Sequence, residues 1–327
     1  MKRILTLTLA VCLLATAAYA DIDGAWTAST ETKRPDRIYM NMTQGRHHNM
    51  GTTMRISDFT ALTRAQMDAA TMTPVRFELR REAGNTVFEG TFRNGKGAGQ
   101  FTFTGNRNYI SAVQALGVPF DLDGKRKHRD RSEEEELFSL ALHDVSTAFI
   151  KQMQAEGFKV SLEKYLTMRI FDITPEYIRE MRSLGFKDLD DEELVSSKIH
   201  KVTPQYVREM RAAGWDLTLD ELQSSAIHGA TPAFAAEMKK LGYALDFDDL
   251  VSFRIHKVTP EFIGELRELG YTRVSADDLV SMRIHKVTPE FIRELKAAGY
   301  SNVPVEKLVS MRIHKIDVEY LKRMGDS

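Results

Sequence analysis

The sequence predicts an α+β protein in two parts: a small antiparallel β-meander domain over residues 21–105, then an α-solenoid of short two-helix repeats over 106–327. Two observations carry that prediction. In the first part apolar and polar residues alternate, the period of a half-buried strand. In the second, a phrase returns every 28–29 residues or a multiple of that: "SSKIHKVTPQYVREM" at 196–210, "SFRIHKVTPEFIGEL" at 252–266 and "SMRIHKVTPEFIREL" at 281–295. Self-similarity at such a period marks stacked helical repeats.

Residues 1–20 read as a bacterial signal peptide. Lys2 and Arg3 form a charged start, "ILTLTLAVCLLATA" is the apolar stretch, and "AYA" is a small-residue cleavage site ending at Ala20. The mature protein is therefore expected to be periplasmic or secreted. The apolar run is too short for a good membrane span, and no span is expected in the mature chain. The single cysteine, Cys12, would leave with the signal, so no disulfide, thiolate ligand or cysteine nucleophile is expected afterwards. Stability then has to come from burial, which 43% hydrophobic residues allow. A net charge of −1 supplies no overall field for nucleic acid or an anionic membrane, and no nucleic-acid partner is expected.

Within 21–105, "RIYMNMT" sets Ile38, Met40 and Met42 against Tyr39, Asn41 and Thr43. The runs 75–82, 86–94 and 99–105 follow as strands, joined by the turns "AGN" and "GKGAG". Phe77, Phe88, Phe92, Phe101 and Phe103 fit one apolar face, with Trp26 on the opening strand. Residues 57–73 are expected to cross between the halves as a loop or short helix.

From 106 onward, Thr174, Thr203, Thr231, Thr259 and Thr288 each precede a proline, and Ser146 and Asp317 hold the same slot. A side-chain oxygen there accepts from the unpaired amides of a first helical turn, and proline suits the next position. About ten residues on comes Gly157, Gly185, Gly214, Gly242, Gly270 or Gly299, the left-handed end of that helix, followed each time by an aromatic. A second helix starts after Ser161, Asp190, Thr218, Asp246 or Ser275. Neither helix is long enough to be stable alone, so repeats must stack. Phe291, Ile292 and Leu295 are expected to pack against Leu308, Val309 and Ile313. The stretches 108–117 and 134–145 read as a worn first repeat around a charged insertion at 118–131, and 317–327 as a polar capping helix.

The repeat "VTPEFIRELKAAGY…LVSMRIHKV" resembles one in the extracytoplasmic C-terminal region of antirepressor-type membrane zinc peptidases, the beta-lactam sensor family. "FEGTFRNGKGAGQFTFTGN" resembles the β module that precedes those repeats there. The peptidase itself has no counterpart: no HExxH is present, and no catalytic residue carries over. The resemblance implies an accessory or sensing module.

Three residue sets are candidate sites. His143, His200, His228, His256, His285 and His314 share one slot, which Phe171 occupies in one repeat. A zinc site needs three or four converging ligands, whereas equivalent positions on stacked helices lie about 8–10 Å apart, so these histidines read as structural. Lys198, Lys201, Arg254, Lys257, Arg283, Lys286, Arg312 and Lys315 flank them as a basic ledge, interrupted at Ala226 and Gly229. At the opposite helix ends stand Glu192/Glu193, Asp220/Glu221, Asp248/Asp249 and Asp277/Asp278. Acid first and base last complements each helix dipole; across repeats it also makes a surface for an anionic peptide or polymer. Finally, Met40, Met42, His47, His48, Met50 and Met54 offer thioethers and imidazoles on a hairpin over 40–54, turning around Gln44–Gly45 so that Met42 and His47 can meet. The set is soft and suited to copper in an exported protein, although Met40 and Met42 fall on the core face.

No nucleophile elbow or P-loop is present; Gly95, Gly97 and Gly99 follow a strand without a helix or Lys-Ser/Thr pair after them. The expectation is an exported, non-enzymatic scaffold without cofactor, binding a protein or peptide partner in the cell envelope. A periplasmic copper-binding protein is the alternative, and an unrecognised hydrolase a third. The oligomeric state stays open.

Overall fold

The computed structural model describes residues 21–44, 48–121 and 132–325, without the side chains of His48 and Met324. The expected signal peptide, His47 and most of the charged insertion lie outside the described residues. The chain forms two compact units, the first running to Pro175 and the second beginning at Glu176.

Seven strands build the first unit: Ile22–Thr30 (β1), Arg37–Gln44 (β2), His48–Arg55 (β3), Phe59–Thr60 (β4), Thr73–Arg81 (β5), Gly84–Arg93 (β6) and Lys96–Gly105 (β7). Their order in one antiparallel sheet is β3-β2-β1-β7-β6-β5-β4. Two meanders thus lie side by side, joined where β1 pairs with β7 in the middle. The short helix α1 (Arg64–Asp68) makes the expected crossing, with Thr63 as its N-cap.

Alternation places the core as expected. Ile38, Met40 and Met42 are buried on β2 while Tyr39 is exposed, and all five phenylalanines of the apolar face are buried. Each such side chain contributes about 1.5–3 kcal/mol. The second turn is tighter than "GKGAG" suggested: Asn94 and Gly95 alone make it, and Gly97 and Gly99 belong to β7. Gly97 leaves room for the Phe92 ring, which a Cβ there would meet at 2.5 Å, and Gly99 lets the neighbouring backbone come close. A Cβ on Gly99 would lie 1.9 Å from the Glu89 carbonyl oxygen, and one on Gly90 would meet the Trp26 indole at 2.7 Å. The indole covers this bare backbone, and its Nε1 donates to the carbonyl of Gln100 at 3.0 Å.

The repeat-type helices begin inside this unit, as α2 (Arg107–Ala115), α3 (Glu133–Leu142), α4 (Thr147–Ala155) and α5 (Leu162–Ile170). The compact units therefore part well after the change of period at 105. The reason is apolar surface: α3 buries Leu137, Phe138, Leu140, Ala141 and Leu142, and only the sheet can cover so much of it. Phe138 stacks on Phe101 at 5.3 Å. Tyr109 donates to the Val145 carbonyl, and the Glu82 carboxylate accepts from the Thr147 amide at 2.8 Å.

The second unit alternates first helices, α6 (Pro175–Ser183), α8 (Pro204–Ala212), α10 (Pro232–Lys240), α12 (Pro260–Glu268) and α14 (Pro289–Ala297), with second helices. The latter are α7 (Asp191–Ile199), α9 (Leu219–His228), α11 (Phe247–Ile255), α13 (Ala276–Ile284) and α15 (Val305–Ile313); α16 (Val318–Gly325) follows. Successive second helices are direct neighbours. Thr203, Thr231, Thr259 and Thr288 cap their helices as expected, and so do Asp190, Thr218, Asp246 and Ser275. α15 departs from the rule, with Pro304 at the cap and no side-chain bond. The aromatics after the glycines also reach the next repeat: Tyr243 donates to the Val274 carbonyl and Tyr271 to that of Val303.

One packing expectation needs correction. Leu308 is buried and Val309 packs against the core, but Ile313 is 51% exposed. At 3.6 residues per turn, a side chain five positions after Leu308 and two after Met311 points away from both.

Candidate functional site

The second helices all end in the same way. In α11 the Val258 amide donates to the Phe253 carbonyl at 2.8 Å, and that of Lys257 to the Arg254 carbonyl at 3.3 Å. This is a Schellman closure, which requires a left-handed residue at the first position past the cap. Lys201, Lys257, Lys286 and Lys315 occupy it with φ of 60°, 58°, 57° and 56°; Gly229 holds the slot in the intervening repeat with φ of 72°. Left-handed backbone costs a residue bearing a Cβ about 1–2 kcal/mol, a cost that glycine escapes. The lysine side chains are exposed, and no ion pair engages them among the described residues.

Two positions before each left-handed residue stands an isoleucine. Ile199, Ile227, Ile255, Ile284 and Ile313 are 52%, 54%, 48%, 50% and 51% exposed, and Ile170 in the first unit is 50% exposed. A lone exposed aliphatic is ordinary; the same one on five stacked helices forms a row.

The arginines of the ledge face the other way. Arg254, Arg283 and Arg312 lie over the rings of Phe234, Phe262 and Phe291 at 4.8, 4.9 and 5.0 Å. Arg254 and Arg283 also donate from Nε to the carbonyls of His228 and His256, each at 3.2 Å, which end the preceding second helix. They act as clamps between repeats, satisfying carbonyls that a helix end leaves unpaired. Lys198 sits over the Tyr177 ring at 4.1 Å. The eight-residue ledge thus divides into four cations turned onto rings and four lysines turned outward. Sequence reasoning missed the isoleucine row altogether, although "RIH" in successive phrases was its visible signal.

His143, His200, His256, His285 and His314 are C-cap residues, and His228 closes its helix ahead of Gly229. No group of three or more His, Cys, Asp or Glu side chains is placed to hold a metal among the described residues. Burial, with the Arg169 guanidinium nearby, pushes the His143 imidazole down from 6.5 to about 4. An unfolded chain protonates it from 6.5 downward while the fold resists, so this contribution is whole above that pH and lost by about pH 4. Partial exposure reduces it to about 2 kcal/mol. Because Phe171 fills the same slot one repeat later, His143→Phe should flatten the fall in melting temperature between pH 7 and pH 4.5. An equal fall in both proteins would refute the assignment.

The acidic helix starts lie in first turns as expected. Asp249 is held above the usual carboxylate range, by burial first and then by the neighbouring charges of Asp246, Asp277 and Asp248. In the Met/His hairpin, Met42 pairs with Met50 across β2 and β3. Met40, Met42 and Met54 are buried in the core, which leaves Met50 as the partly exposed thioether. Compared with protein-family models, curated proteins and solved structures, this chain matches none of them.

Proposed function

We propose that the protein is an exported, non-enzymatic scaffold whose helical repeats bind a protein or peptide partner in the cell envelope. The observation that carries this reading is the outward rim of α7, α9, α11, α13 and α15, where an exposed isoleucine recurs at one slot, with a lysine two residues on in every helix but α9, which has Gly229 there. A periodic aliphatic and cationic surface on a stack of short helices is suited to an elongated partner, because each repeat adds a similar increment of contact. The resemblance to sensor-associated modules agrees with an accessory role.

The test is capture by the immobilised mature protein from an envelope extract, repeated with each captured component purified. Replacing Ile255, Ile284 and Ile313 by serine together is expected to abolish retention of the partner while the melting temperature stays within a few degrees. Equal retention by the parent and this variant would reject the rim as the binding surface.

A further inference from the structure

The rim also specifies what kind of chain fits it, an inference that rests on the binding reading above. Three consecutive second helices, α11, α13 and α15, present the same exposed pair: Ile255 with Lys257, Ile284 with Lys286, and Ile313 with Lys315. The ends of α11 and α13 adjoin, since Arg283 of α13 bonds the carbonyl of His256 at the end of α11, and α15 packs directly on α13. Each lysine holds a left-handed backbone where Gly229 shows that glycine serves, so the backbone turn does not account for the cation. Isoleucine is no better explained by the helix, since straight-chain residues are better helix formers at an exposed position.

Stacked helices lie about 8–10 Å apart. A polyproline II segment advances about 3.1 Å per residue and so repeats a side-chain direction about every 9 Å. An extended strand repeats a side-chain direction every two residues, about 6.6 Å, and falls out of step within two helices. We propose that this rim binds an acidic segment in polyproline II conformation, with one aliphatic side chain per repeat set against the isoleucines and carboxylates paired with the lysines. Charge complementarity selects this occupant over a basic one, and the strained lysines are the positions that read the charge.

The probes are synthetic peptides: three Pro-Leu-Glu triplets, the same with lysine for glutamate, and a version with two-residue spacing. Binding to the mature protein is measured by fluorescence anisotropy at 0.05 and 0.15 M salt. The acidic triplet peptide is expected to bind at least tenfold more tightly than the other two, more weakly at the higher salt. Lys257→Gly, Lys286→Gly and Lys315→Gly combined should lose at least tenfold while melting no lower than the parent, which separates lost charge from lost fold. Equal binding by the basic or two-residue peptide, or by the triple glycine variant, would overturn the proposal. So would preferential binding to phosphatidylglycerol vesicles, or self-association through the rim that Ile284→Ser abolishes. If no peptide binds yet the isoleucine variants still lose captured partner, the occupant is overturned and the scaffold reading stands.

Discussion

Trp26→Ala is expected to destabilise the first unit by about 3–5 kcal/mol, the cost of deleting a large aromatic from a packed core. Trp26 is 1% exposed on β1, the strand that joins the two meanders. Its ring meets Phe77 and Phe92 at centroid distances of 5.5 Å, and Phe88 at 6.3 Å. Underneath lie Gly90 and Gly99, which have no side chain to fill the space left behind. The sheet cannot close the cavity without breaking the β6–β7 register, in which Gly90 faces Gly99. Denaturation in urea, followed by near-ultraviolet circular dichroism, measures the loss. A change below 1 kcal/mol would mean that the indole is not a member of this core.

The second large effect concerns a pairing that differs between the earlier and the later repeats of the second unit. Tyr206 and Ser225 share a hydrogen bond of 2.6 Å, and Ser225 is fully buried. Tyr177 likewise bonds Ser197, and burial pushes its hydroxyl up to about 12. Where the first helix carries phenylalanine instead, as at Phe262 and Phe291, the facing slot holds Met282 and Met311. A tyrosine needs a small polar neighbour for its hydroxyl, and a phenylalanine needs the bulk. Ser225→Met should therefore cost about 2–4 kcal/mol, combining overpacking with an orphaned buried hydroxyl. Tyr206→Phe alone should cost about 1 kcal/mol. The double variant, which rebuilds the pair found at Phe262 and Met282, should recover most of the loss, with a coupling energy above about 1 kcal/mol. Strict additivity of the two single changes in chemical denaturation would show that the pair does not act together.

Much of this was legible beforehand, and the particular residues show why. Thr259, Asp246 and Gly270 punctuate helices through bonds that span a few residues, so their roles can be read from the chain alone. The alternation of Ile38, Met40 and Met42 could be read for the same reason. β3 was read only as the return arm of a hairpin over 40–54 and not as a strand of the sheet's core, because "HNMGTTMR" mixes glycine and polar residues and owes its pairing to β2. "RIHK" read as a cationic helix end, which is correct for the dipole whichever way each side chain turns. That Arg283 lies on Phe262 while Lys286 points to solvent depends on contacts made 21 to 27 residues away.

By itself the sequence determined the repeating unit, its caps and the face that must be buried, because those follow from local hydrogen bonding and helical periodicity. The tertiary structure decided two further matters. It joined α3 to the sheet, since that helix has too much apolar surface to be covered by its own repeat. It also divided one run of cations into clamps and free charges, since stacking alone determines which aromatic ring each arginine meets and which open carbonyls Arg254 and Arg283 reach.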